Sequence, residues 1–223
     1  ASDGAINVTA NGMVSGAVSG ALSNSGSIAV NATAKGSGLN GVYATAWGID
    51  IDSDLNPLAS LSNDGSIVVT ATADGTATSG AIYASAFGME VLDVYGAVSN
   101  VGSIAVTATA DGTANSTTMY VNAFGMKVDA VNGTLSNDGS IAVTAKAMGS
   151  GKSGLNVATY GIDVDDIAAN ASVSNDGEIT VTATADGTAS SGSIQLTSYG
   201  IKLVDINGTL SNDGSIAVTA KAM

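Results

Sequence analysis

From Ile28 onwards the chain alternates apolar and small polar residues with a period of two, and the alternation keeps restarting. Ile28, Val30 and Ala32 fall on one side of a strand, as do Ile67, Val69 and Ala71, then Ile104, Val106 and Ala108. The same places hold Ile141, Val143 and Ala145, Ile179, Val181 and Ala183, and finally Ile216, Val218 and Ala220. The other side carries Ser, Ala and a column at Asn31, Thr70, Thr107, Thr144, Thr182 and Thr219. Strict alternation with β-branched residues predicts half-buried β-strands. Each begins just after a glycine (Gly26, Gly65, Gly102, Gly139, Gly177, Gly214), and these lie about 37 to 39 residues apart. A weaker anchor follows fifteen residues later, at Gly41, Gly80, Thr117, Gly154 and Gly192. The unit therefore has two halves. Half A is typified by Gly102–Ala114. Half B is typified by Gly80–Val91, with Ile82, Ala84 and Ala86 expected inward and Tyr83, Ser85 and Phe87 outward.

The repeat is strong: Leu135–Met148 returns letter for letter at Leu210–Met223. A strand with one apolar face cannot fold alone, so copies must stack, Ile over Ile and Val over Val. The expectation is an all-β fold, a parallel β-solenoid of two-strand repeats of about 37 residues, five to six units, forming a single domain over residues 1–223. One wide coil with the A and B strands as opposite walls is preferred to two small coils, and small inward Ala implies a thin, dense core. The chain opens on a B half and closes inside an A half. Neither end resembles a cap: Ile6 and Val8 at one end, and Ile216 and Val218 at the other, are ordinary core positions. Uncapped solenoid ends invite edge-to-edge pairing, so these four residues are the expected assembly ends of a head-to-tail homopolymer.

Composition narrows the function classes. The chain is 45% hydrophobic but only 4% aromatic, with 29 Gly and one Pro, which suits strands and tight turns. No run approaches the ~18 apolar residues of a membrane helix, so no transmembrane segment is expected. Net charge is −13, with six Lys, no Arg and no His, so nothing supplies a basic track for nucleic acid. With no His or Cys either, acid–base and nucleophilic chemistry lack their usual agents, every candidate carboxylate sits in a repeated column, and no catalytic residue is expected. The first residue is Ala1, which reads as a processed, exported product.

Several columns remain as candidates. Asn24, Asn63, Asn100, Asn137, Asn175 and Asn212 recur once per unit before the turn glycine. Stacked Asn amides can donate to one neighbour and accept from the other, although Asn-Asp-Gly is also an ordinary turn sequence with positive φ. Trp47, Phe87, Phe124, Tyr160 and Tyr199 form an outward aromatic column, read either as a brace or as a contact for surface glycans; Tyr43, Tyr83 and Tyr120 start a second. Acidic residues stack too, at Asp3, Asp64, Asp138, Asp176 and Asp213 and at Asp74, Asp111 and Asp186. Asp50, Asp52 and Asp54 alternate like the opening of a calcium loop and are candidate Ca²⁺ ligands. The competing reading is solvated loop carboxylates, since no glycine or glutamate stands where such a loop needs one. Otherwise no cofactor is expected. Thr-Ala-Thr triplets suggest an ice-binding face, but Lys146 and Lys221 interrupt the array.

Ser136–Ala145 and Ala158–Val164 carry a pattern that resembles the degenerate repeats of bacterial autotransporter passengers and haemagglutinin-like surface proteins. The resemblance spans essentially the whole chain and implies an exported, β-helical protein of the cell surface or extracellular space. Together with the repeat it points to a structural filament subunit, with a surface adhesin or carbohydrate-binding rod as the alternative.

Overall fold

The computed structural model describes residues 4–223; Ala1–Asp3, part of the expected junction between copies, lie outside them. Among the described residues there are eighteen strands and no helix. They form three parallel six-stranded sheets, and each sheet takes one strand from every repeat. One repeat is thus one coil, and there are six coils.

The two long strands of a coil are the expected ones. In the second coil the half-B strand is Val42–Ile51 and the half-A strand is Ser66–Ala77. Between them runs a third, four-residue strand, Ser60–Asn63, where a loop was expected. Its equivalents recur in every coil, from Ala21–Asn24 to Thr209–Asn212. Four residues hold a single buried apolar side chain, Leu61 here, which is too little to show alternation.

Stacking is in register throughout. Ile67 pairs with Ile28 on one side and Ile104 on the other, and Val69 with Val30 and Val106. Each such buried side chain contributes roughly 1.5–3 kcal/mol before the entropy cost of ordering it. The A and B walls face each other across a core of Ile, Val and Ala, as expected of one wide coil. How close they come is shown by a glycine column in half B: Gly12, Gly48, Gly88, Gly125, Gly161 and Gly200. A methyl group on Gly48 would lie 2.5 Å from Ile67 Cγ2 and 3.0 Å from Val69 Cγ2 of the opposite wall. Gly48 also shifts the alternation by one residue. Ala46, Gly48, Ile49 and Ile51 are all buried, while Trp47 and Asp50 face out.

Two expectations are corrected. The glycines of the Asn-x-Gly turns do not need positive φ; Gly26, Gly65, Gly102, Gly139, Gly177 and Gly214 are not among the glycines that adopt it. At Gly65 the constraint is stacking, because a Cβ there would strike the carbonyl of Gly26 in the coil before. Ser85, expected outward, is 1% exposed, and its Oγ is buried without a hydrogen-bond partner.

Gly125→Ala should destabilise the protein by about 1–3 kcal/mol, the cost of overpacking a dense core, because its Cβ would meet Ile141 Cγ2 and the Gly161 carbonyl. Gly20→Ala, where a Cβ meets nothing within 4 Å, should stay within about 0.5 kcal/mol. Urea denaturation of the two variants compares them, and equal losses would refute a wall-spacing role for the column.

Candidate functional site

Three ladders and two sheet edges carry what chemistry the molecule has. The first ladder is asparagine. Asn24 Nδ2 donates to Asn63 Oδ1 at 2.7 Å, and the same bond repeats from Asn63 to Asn100, Asn100 to Asn137, Asn137 to Asn175 and Asn175 to Asn212, all at 2.6–2.7 Å. Asn63, Asn100, Asn137 and Asn175 are fully buried. The second amide hydrogen reaches a backbone carbonyl, such as Ser103 O from Asn63 at 3.3 Å. A buried amide left unpaired costs about 1–3 kcal/mol, so the ladder satisfies a group that the corner of the coil buries. It also has a direction, because every rung donates towards the C-terminal coil. At the last rung Asn212 Nδ2 reaches Gly214 O at 3.3 Å, and at the first rung Asn24 Oδ1 accepts from the Gly26 amide at 3.3 Å.

The second ladder is aromatic, on the outer face of half B. Trp47, Phe87, Phe124, Tyr160 and Tyr199 stack face to face, with centroids 5.5, 5.0, 4.9 and 5.8 Å apart and interplanar angles of 2–15°. That spacing is close to the strand repeat of about 4.8 Å, so the sheet itself imposes it. In the first coil Asn11 holds the equivalent place.

The third ladder is ionic. Three residues after each ring, Asp50, Glu90, Lys127, Asp163 and Lys202 pair in register. Lys127 Nζ donates to Glu90 Oε1 at 2.6 Å, and Lys202 Nζ to Asp163 Oδ1 at 2.8 Å. Glu90 also accepts from Trp47 Nε1 at 2.7 Å, which ties the ionic ladder to the aromatic one. Lys127 and Lys202 lie 6.0 and 5.4 Å from the Phe87 and Tyr160 ring centroids, at cation–π distance. The lysine pKa values rise. At Lys202 the hydrogen bond to Asp163 is the main cause; at Lys127 burial opposes the rise but Glu90, Asp129 and Asp163 outweigh it. Asp163 is itself pushed up by burial, against the pull of Lys202. Only Asp50 beside Glu90 is a like-charge step. Burial, then the charges of Asp52 and Glu90, push Asp50 up to about 6.

Of the expected calcium ligands, Asp50 and Asp52 come within hydrogen-bonding reach of one another. Asp50 belongs to the ionic ladder, and Asp52 and Asp54 follow the strand end. Among the described residues no group of three or more carboxylates is placed to hold one ion. Of the stacked acids, Asp74 pairs with Asp111 in register and Lys35 reaches Asp74 at 3.3 Å across an exposed face.

Ile6 and Val8 lie on the first coil, and Ile216 and Val218 on the last. Ile216 and Val218 are 40% and 44% exposed on coil six, although their equivalents Ile179 and Val181 one coil below are fully buried. Ile6 and Val8 pack half-buried against the core from coil one.

Asp50 binds its proton more tightly in the folded chain than an ordinary aspartate does. Its contribution to stability is therefore largest at acid pH and is lost as pH rises through about 6. Asp50→Asn should raise stability at pH 7–8 by about 1 kcal/mol, a figure that allows for solvent screening of a half-exposed group. The gain should vanish below about pH 4. Thermal melts from pH 3.5 to 8 follow it; a gain independent of pH would show that the charge of a partly buried Asp50 carboxylate is not the cause.

Compared with family models, curated proteins and solved structures, the chain shows no significant match to any of them.

Proposed function

We propose that this chain is the structural subunit of an extracellular or cell-surface filament, formed when coil six of one copy stacks on coil one of the next. The observation that carries this reading is the directed asparagine ladder. It ends in a donor at Asn212 and begins with an acceptor at Asn24, so a second copy placed head to tail continues the bond that links every internal coil. The sheet edges match in the same register. Ile216 would meet Ile28, Val218 would meet Val30, Leu210 would meet Leu22 and Ile194 would meet Ile6, each an apolar pair of the kind found between internal coils. Exposed parallel edges are templates for further pairing. A contact between unlike surfaces that does not close propagates as a fibre.

The outer ladders would not continue so well. Tyr199 would meet Asn11, and Lys202 would meet Val14. A joint between copies is therefore weaker than a step between coils, which leaves the subunit recognisable within the fibre. The extracellular setting rests on the resemblance of the repeats to exported surface proteins. The aromatic column supports a bracing role over a sugar platform, because its rings occupy one another's faces and a sugar ring stacks on a free face.

At high protein concentration, negative-stain microscopy should show unbranched fibres with an axial repeat of about 29 Å, six coils at roughly 4.8 Å each. Val218→Lys, a change at an exposed edge position, should shorten or abolish them while leaving the thermal midpoint of the single chain unchanged. Monodisperse short rods from the unaltered chain at every concentration would overturn the proposal.

A further inference from the structure

Charge is spread unevenly along the rod. Residues 1–40, which include the first coil, carry only Asp3 and Lys35, and these cancel. Residues 191–223, which make the last coil, carry Lys202 and Lys221 against Asp205 and Asp213 and cancel too. The whole net charge of −13 therefore falls on the four coils between them. Residues 41–78 hold five acids and residues 153–190 hold six, with no lysine in either stretch.

Stacking gathers these acids into ridges. At the Asn-x-Gly corner Asp138 N donates to Asn100 O and Asp176 N to Asn137 O, both at 2.8 Å, which sets the two aspartates on successive coils. Asp64 holds the same corner two coils earlier, and all three are exposed. Among the described residues no lysine pairs with any of them. The end of half B makes a second ridge. Asp54 stands beside Asp93 there, and Asp129, Asp165 and Asp166 follow on the next two coils. Six coils at roughly 4.8 Å make a subunit about 29 Å long, so a fibre would carry one net charge per about 2.2 Å. Two unit charges in water interact at thermal energy when they are about 7 Å apart. Duplex DNA, with one charge per about 1.7 Å, holds a condensed layer of counterions. The fibre falls in the same regime.

On the reading that the chain forms fibres, we infer that these fibres hold one another apart along their acidic flanks and are drawn into bundles by multivalent cations. The ends escape the repulsion. Across a joint the nearest strongly acidic coils, the fifth of one copy and the second of the next, are three steps or about 14 Å apart. That exceeds the Debye length of about 8 Å at physiological salt. Side by side, the ridges of two fibres meet with no neutral coil between them. Growth in length is therefore permitted where growth in width is opposed. A multivalent cation releases several condensed monovalent ions at once, and it can be shared between the ridges of two fibres. Among the described residues no three carboxylates converge to hold one ion, so these cations form a diffuse layer. Their effect follows valence, not ionic size.

The test starts from fibres grown in about 0.15 M NaCl, divided among MgCl₂, CaCl₂, spermidine and sodium citrate. Low-speed pelleting and negative-stain microscopy read the result. Before any addition the fibres should be single and stay in the supernatant. Trivalent spermidine should bundle and pellet them at a concentration at least about tenfold below that of Mg²⁺. Mg²⁺ and Ca²⁺ should act within about twofold of each other, and citrate, a multivalent anion, should do nothing. Raising NaCl to about 1 M, where the Debye length is about 3 Å, should release the bundles. Three results would overturn the inference and leave the fibre standing: bundling with Ca²⁺ alone, single fibres in both spermidine and Mg²⁺, or bundling unaided at about 0.01 M salt. Absence of fibres under every condition would overturn this inference and the filament reading together.

Discussion

The strand residues of this protein sit on their counterparts in the next coil, one strand spacing of about 4.8 Å away, and that constraint governs what each position can hold. A side chain is acceptable if it tolerates a near-identical copy directly above and below it. Ile, Val and Ala tolerate this by packing, as the fully buried Ile67, Ile104 and Ile141 show. Asn tolerates it because one amide carries both a donor and an acceptor, so a stack of amides satisfies itself. Aromatic rings tolerate it as offset stacks. Glycine is required where the copy below presents a carbonyl instead of a side chain, as at Gly65 over Gly26.

Charge is the residue property that this constraint punishes, since like charges one strand apart repel. The half-B face resolves the conflict by alternating sign from Glu90 through Lys127 and Asp163 to Lys202. It then uses the two lysines a second time, as cations beside the Phe87 and Tyr160 rings. Where alternation fails, at Asp50 beside Glu90, the carboxyl holds its proton to about pH 6. The half-A face alternates sign once, with Lys35 paired to Asp74, and Asp111 then stacks between Asp74 and the uncharged Met148. The same constraint connects stability to the proposed assembly. A chain whose internal cohesion is self-recognition of coils carries that recognition on any coil edge it exposes.

Much of this was legible before any coordinates. Ile, Val and Ala at every second residue and glycines at a fixed interval lead to in-register stacking. From there the asparagine ladder, the ring column and the thin core between A and B walls follow by chemistry, because each involves one residue type repeated at one place. The features that escaped involve different residue types at one place. Asp50, Glu90, Lys127, Asp163 and Lys202 share a column but not a chemistry. Read along the chain, Asp50 belongs to an acidic cluster with Asp52 and Asp54 that suggests calcium. Read across coils, it is one step of an ionic ladder. The place three residues after each ring was the signal that would have found it.

Tertiary structure alone decided what distances and volumes decide. The third strand is too short to announce itself by period, and it exists because Leu61 and Asn63 reach the core at the corner of the coil. Ser85 is buried although its place in the alternation is the outward one. Gly48 is excluded from bearing a side chain by Ile67 and Val69 of a wall nineteen and more residues further along, which no local pattern encodes. The sequence by itself determined the coil, its interval and the identity of the ladders, because stacking is a rule about like meeting like. Where unlike residues meet, across the core or up a mixed column, only the folded geometry says which of them touch.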